Sequence, residues 1–206
     1  MNWSNVDGFI FDVDGTLYPQ KTVRLRMFFR LIRALLTGSL SIRELYSIYY
    51  FRKIKEQSEF KHCNIDDLCL QVSQKVGLSK ERVSCSTNKW MFEVPLDLLR
   101  EHCYSDVRQF INHQHNAGKT IVIYSDYPVA EKLKAMGIHF NREFVSCFGG
   151  ITQSKPSLDA MRKILEETGL SPNSIVYIGD RNDKDKVSAE MVNIKYYDIR
   201  HFRKLL

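Results

Sequence analysis

Three runs in this chain are apolar almost without interruption, and each stops at an acid or a hydroxyl. Gly8 to Phe11 stops at Asp12, the run through "TIVIY" stops at Ser125 and Asp126, and "SIVYIG" stops at Asp180. Runs of this length that do not alternate with polar residues describe strands buried on both faces, the habit of parallel sheets. Weaker runs at 143–148 and 192–198 read as further strands. Between them lie helical patterns at 104–117, 129–136 and 156–168, closed by Gly118, Gly137 and Gly169, with Pro156 placed to open the last of these. Strands alternating with helices predict an α/β fold, a Rossmann-like parallel sheet core. Ligands of such sheets bind beyond the carboxyl ends of the strands, where Asp12, Ser125 and Asp180 all fall.

Residues 20–94 break this alternation. They hold no convincing strand and four helical patterns, at 23–36, 41–60, 65–76 and 80–91, jointed near Gly38, His62 to Asn64 and Gly77. The expected organisation is an α/β core from 1–18 and 95–206, with an inserted α-helical cap from 19–94 and a return hinge at Val94–Pro95. A chain of 206 residues is long enough for both. Charge divides the same way. Residues 20–62 carry ten Lys/Arg against three Glu, a net of +7 in a chain of +6 overall. Arginines 24, 26, 30 and 33 interleave with Met27, Phe28, Phe29, Leu31 and Ile32, which reads first as a helix pair with an aromatic core and outward basic faces. The same mixture would suit an anionic, partly apolar partner such as a lipid-linked phosphate or a membrane surface. Single-stranded nucleic acid is a weaker fit, since no nucleic-acid module is present.

Asp12 and Asp14 sit two residues apart behind the first strand, with Gly15 and Thr16 directly after. Two carboxylates so placed repel one another unless a cation joins them, and Mg²⁺ is the natural choice for hard oxygen ligands. Such an ion also neutralises charge on a phosphoryl group. One carboxylate can then attack phosphorus while the other serves as general acid and base. Gly15 and Thr16 permit a tight turn whose backbone N–H groups can face phosphate oxygens.

The stretch "DVDGTL" resembles the first motif, DxDGT, of the haloacid dehalogenase-like (HAD) hydrolase superfamily. Ser125 after its apolar strand is similar to the second-motif Ser/Thr, Lys155 in "SKP" to the third-motif lysine, and "IGDRNDKD" to the acidic fourth motif. The resemblance spans about 5–18 and 96–197. It implies that Asp12 is the nucleophile, forming an aspartyl-phosphate, and that Asp14 protonates the leaving oxygen and then activates water. Ser125, Asp126 through its backbone, Gly15, Thr16 and Lys155 are the implied phosphate contacts. Mg²⁺ is implied at Asp12, at Asp14 through its carbonyl, and at Asp180, with a second fourth-motif acid nearby. Asp183 and Asp185 both lie within reach, and family variants of the form GDRxDxD favour Asp185. Asp126 departs from the Asn common among relatives, and its carboxylate has no role in the pattern. Arg181 is placed to pair with a neighbouring acid.

The second aspartate separates the chain from dehalogenase members and aligns it with phosphatases and phosphomutases. The expected reaction is Mg²⁺-dependent hydrolysis of a small phosphorylated metabolite. Phosphomutase chemistry, hydrolysis of a membrane-associated phosphate, and a non-catalytic binding role are the alternatives. No run reaches the roughly 18 apolar residues of a membrane span. The start of the sequence has no secretory pattern, and five scattered cysteines without a CxxC pair indicate neither zinc nor disulfides, so a cytoplasmic protein is expected. His113 and His115 are expected at the surface, His62–Cys63 at a helix joint and Gly149–Gly150 in a turn. Nothing in the sequence specifies an oligomeric state.

Overall fold

A computed structural model describes residues 3–56, 65–146, 151 and 153–206. Five parallel strands form one sheet in the order β3-β2-β1-β4-β5. They are β1 Gly8–Phe11, β2 Thr120–Ser125, β3 Arg142–Val145, β4 Ile175–Gly179 and β5 Lys195–Asp198. β1 lies at the centre, with Gly8 beside both Thr120 and Ile175. Successive side chains on a strand point to opposite faces. Phe9 and Phe11 accordingly enter one core with Leu99, Ile111 and Leu133, while Ile10 enters the other with Met161 and Ile164. The near-continuous apolar composition of β1, β2 and β4 follows from having helices over both faces. The core is therefore Rossmann-like, as the alternation predicts.

The helices of the first face are α5 Leu96–His102, α6 Ser105–Asn116 and α7 Ala130–Met136, and that of the second is α8 Leu158–Thr168. Short helices α9 Val187–Glu190 and α10 Ile199–Phe202 flank β5. The insertion after β1 holds α1 Gln20–Leu36, α2 Ile42–Glu56, α3 Ile65–Val76 and α4 Lys80–Thr87, numbered with the rest in chain order. These helices bury a core of their own around Phe51, Leu68, Val72 and Val83. Tyr127, just beyond β2, packs against that cluster and ties cap to core. Among the described residues no helix is long and apolar enough to cross a membrane.

Several expectations are corrected. The helix expected over 80–91 stops at Thr87 and continues as a π-helical turn, Asn88–Glu93. Pro156 does not open α8: the Ser157 hydroxyl accepts the Ala160 N–H at 3.2 Å, so Ser157 is the cap and Pro156 precedes it. β5 begins at Lys195 rather than 192, because Asn193 takes a positive φ of 58° in the turn after α9. Arg30 is not part of a purely solvated face. It clasps Asp97 of α5 with two hydrogen bonds of 2.7 and 2.6 Å and donates a third to the Val94 carbonyl. His115 is half-buried, its ring 5.8 Å from that of His139, whereas His113 is exposed. The predicted joint at His62–Cys63, the turn at Gly149–Gly150 and the end of the strand expected at 143–148 lie outside the described residues. Cys69, Cys85 and Cys103 are free thiols.

Candidate active site

The carboxyl ends of β1, β2 and β4 deliver Asp12, Ser125 and Asp180 to one edge of the sheet. Asp12 is buried there, and each of its oxygens accepts one hydrogen bond. Its Oδ1 accepts the Lys155 ammonium at 2.7 Å and its Oδ2 accepts the Thr16 hydroxyl at 2.9 Å. Lys155 also reaches Asp185 Oδ1 at 3.0 Å, and its ammonium lies 4.6 Å from the centre of the Tyr124 ring. Asp185 is buried and held further by the Tyr177 hydroxyl at 2.9 Å and the Arg181 N–H at 3.1 Å. Asp183, the competing acid, faces solvent and pairs with Arg181 at 2.6 Å. The buried acid beside Lys155 is thus Asp185.

Burial pushes the Asp12 carboxyl up to about 7; the Lys155 ammonium pulls it down and Asp185 adds to the rise. Asp180 is pushed up to about 6, again by burial and then by Asp185. Carboxylate oxygens of Asp12, Asp180 and Asp185 all lie within 4.8 Å of one another. Asp180 Oδ1 is buried with no hydrogen-bond partner among the described residues. An orphaned acceptor beside two further carboxylates fits a hard divalent cation. Close backbone packing shapes this cradle. A Cβ on Gly15, where φ is +107°, would stand 2.1 Å from Asp180 Oδ2, and one on Gly179 would stand 2.5 Å from Asp185.

Asp14 points elsewhere. Its carboxylate accepts Lys132 Nζ at 2.7 Å and a short hydrogen bond from the Tyr18 hydroxyl. Burial opposes its ionisation, but the Lys132 ammonium and both hydrogen bonds outweigh burial, and its pKa falls below the ordinary value. Lys132 and Tyr18 escaped the sequence reading. Tyr18 lies four residues after Asp14, while Lys132 comes from the first turn of α7 and carries no local signal. A cavity of about 270 Å³ between cap and core opens onto Asp14. Arg24, Arg52 and Lys132 supply its positive charge, and Met27, Phe28, Leu31, Trp90 and Phe92 make most of its wall apolar.

The remaining expected contacts divide. Ser125 ends β2 almost fully buried, its Oγ accepting the Tyr127 N–H at 3.2 Å. The Thr16 N–H does not face outward, as the sequence suggested, because it closes the turn onto the Val13 carbonyl at 3.2 Å. Asp126 has a structural task for its carboxylate: it accepts the Lys155 backbone N–H at 2.9 Å, the Ser146 hydroxyl at 2.8 Å and Lys184 Nζ at 2.8 Å. It is placed to brace the loop that presents Lys155.

A family model described as haloacid dehalogenase-like hydrolase matches residues 9–199. Among solved structures, the chain is similar to a 2-haloacid dehalogenase from Pseudomonas syringae pv. Tomato DC3000, with TM-score 0.65 and 17% identity over 93% of this chain and 85% of that one. It is similar to the magnesium-bound YfnB protein of Bacillus subtilis, with TM-score 0.65 and 14% identity over 97% and 96% of the two chains. A predicted phosphoglycolate phosphatase from Haemophilus somnus 129pt gives TM-score 0.58 and 16% identity over 96% and 89%. No curated protein matches the chain. At these identities the structural likenesses speak for the fold.

Proposed function

Because the chain belongs to the haloacid dehalogenase-like hydrolases, we propose that it is a Mg²⁺-dependent phosphatase that cleaves a phosphate monoester through an aspartyl-phosphate on Asp12. The observation that carries this reading is the second carboxylate, Asp14, engaged by Lys132 and Tyr18 at the wall of the cavity. Halide departs without a proton, so dehalogenation has no use for an acid there. An alkoxide leaving from phosphorus does need one.

Asp12 Oδ attacks phosphorus, and the bond from phosphorus to the leaving oxygen breaks. Lys155, 2.7 Å away, favours the ionised form of the nucleophile against the burial that raises its pKa to about 7. Asp14 gives its proton to the leaving oxygen. Ionised in the free site, Asp14 acquires that proton from solvent when the negative charge of an arriving phosphate raises its pKa. It then takes a proton from the water that attacks the aspartyl-phosphate, releasing inorganic phosphate and restoring Asp12. A Mg²⁺ ion held by Asp12, Asp180 and Asp185 would supply positive charge to the phosphoryl oxygens. The Ser125 hydroxyl is a further donor for them. The cavity walls favour an ester whose leaving group carries an apolar or aromatic part, with Arg24 and Arg52 countering its charge.

The test is hydrolysis of a generic aryl phosphate by the purified protein. Phosphate release should require Mg²⁺ and cease with EDTA, while a 2-haloacid should release no halide. Full phosphatase activity in metal-free buffer, or halide release without phosphatase activity, would overturn the reading.

A further inference from the structure

Helix α1 presents two apolar faces, and among the described residues only one of them is covered. Val23 and Ala34 are buried, and Met27 and Leu31 are partly buried beside them. On the opposite side Leu25, Phe28, Phe29, Ile32 and Leu36 are exposed, Phe29 at 59% and Leu36 at 83%. At 100° per residue these five side chains fall within about 100° of the helix circumference, along about 17 Å of length. Scattered surface hydrophobes need no explanation, but a single continuous stripe does.

Charge identifies what covers it. α1 carries Lys21, Arg24, Arg26, Arg30 and Arg33 and no acidic residue in its 17 positions. Helical spacing sets Arg24 at one border of the stripe and Arg26 with Arg33 at the other. Arg30 is turned away to its clasp with Asp97. An apolar stripe between two basic borders is the pattern of a helix lying in the headgroup region of an anionic bilayer, with side chains in the acyl boundary and arginines among the phosphates. A second copy of the chain would bring the same basic borders against itself. The stripe also meets the mouth of the active-site cavity, since Arg24 and Phe28 line both.

We propose that the outward face of α1 docks the protein on an anionic membrane surface. This stands apart from the reaction assigned to the site. The arrangement would hold the mouth of the cavity at the bilayer.

The test is co-flotation of the whole chain with vesicles, in Mg²⁺-free buffer. One set is pure phosphatidylcholine and the other contains phosphatidylglycerol. Binding to the anionic set should be at least tenfold stronger and should weaken as salt rises. The variant Leu25→Ser/Phe29→Ser/Leu36→Ser, which spares the cavity wall, should bind anionic vesicles at least tenfold more weakly. It should keep its melting temperature and its hydrolysis of a soluble aryl phosphate. Arg26→Gln/Arg33→Gln should lose about fivefold per arginine, and it decides the matter if the triple variant fails to fold. Absence of binding by the natural chain at low salt overturns the proposal. So does undiminished binding by both variants, which would locate the contact elsewhere. A dimer that the triple substitution dissociates, with no vesicle binding by the natural chain, would assign the stripe to a second copy instead.

Discussion

Lys155 serves two acids at once. Its ammonium lies 2.7 Å from Asp12 and 3.0 Å from Asp185, all three buried. Removing one partner of such a group leaves uncompensated charge in a low dielectric. Lys155→Ala is expected to lower turnover of an aryl phosphate by at least about 10²-fold, the scale of losing one electrostatic stabiliser. Asp12→Asn should abolish turnover together with any acid-labile phosphoenzyme; a phosphoenzyme that survives would mean another nucleophile. Gly15→Ala tests the cradle without touching a charge. Its methyl would meet Asp180 Oδ2 at 2.1 Å, on backbone with φ +107°. Strain and collision both oppose it, and Mg²⁺ affinity measured by calorimetry should fall at least tenfold even if the fold survives. Asp12, Asp14, Ser125, Lys155 and Asp180 could be picked out in the sequence because each lies at a strand end or inside a short pattern. Lys132 could not, since its pairing with Asp14 joins positions 118 residues apart. The choice between Asp183 and Asp185 likewise needed burial, which spacing alone does not encode.

At the scale of elements, the long and strongly apolar segments were readable and the short ones were not. β1, β2 and β4 announce themselves because a strand buried on both faces has no polar positions to spend on solvent. α5 spans only Leu96–His102, about two turns. Too little periodicity accumulates there to reveal it, and Val94–Pro95 looks like a mere hinge. α9 and α10 are shorter still. Missing α5 also hid the clasp between cap and core, because Asp97 stands in its first turn. Arg30 and Asp97 are partly exposed, with side chains 34% and 65% accessible, so the pair contributes about 1 kcal/mol or less. Arg30→Glu replaces attraction by repulsion and also strips the Val94 carbonyl of its donor. The melting temperature should fall by about 2–4 °C, as expected for a loss near 1 kcal/mol in a chain of this size. Arg30→Glu/Asp97→Arg should recover part of the loss. Equal melting of the single and double variants would assign the effect to α1 alone.

For the whole molecule, the acids of the site set how stability responds to pH. Asp12, pushed up to about 7, and Asp180, pushed up to about 6, stand above the ordinary 3.8 of an aspartate in the unfolded chain. Between pH 4 and 7 the folded protein therefore holds protons that the unfolded chain has released. Stability falls wherever the folded state binds more protons and pH rises. The contribution of these two groups is fully present below about pH 4 and is lost as pH climbs through 6 and 7. Asp14 and Asp126 act in the opposite sense, because their pKa values are depressed. Their stabilisation is present above the ordinary aspartate value and disappears only under stronger acid. Lys55, pulled down to about 8 by burial, releases its proton before the unfolded chain does and so opposes the decline between pH 7 and 8, but as one group late in the range it only partly offsets the two acids. In EDTA, the melting temperature should then decline from pH 5 to pH 8. Mg²⁺ binds the ionised carboxylates and stabilises the state that holds it by mass action. Protons compete with it at pH 5, so the increment on adding Mg²⁺ should be larger at pH 8 and should flatten the decline. Asp12→Asn removes one of the two titrating groups. It should reduce both the slope in EDTA and the increment from Mg²⁺. A melting temperature that rises from pH 5 to pH 8 in EDTA, with the same slope in Asp12→Asn, would show that the acidic cluster does not govern stability in this range.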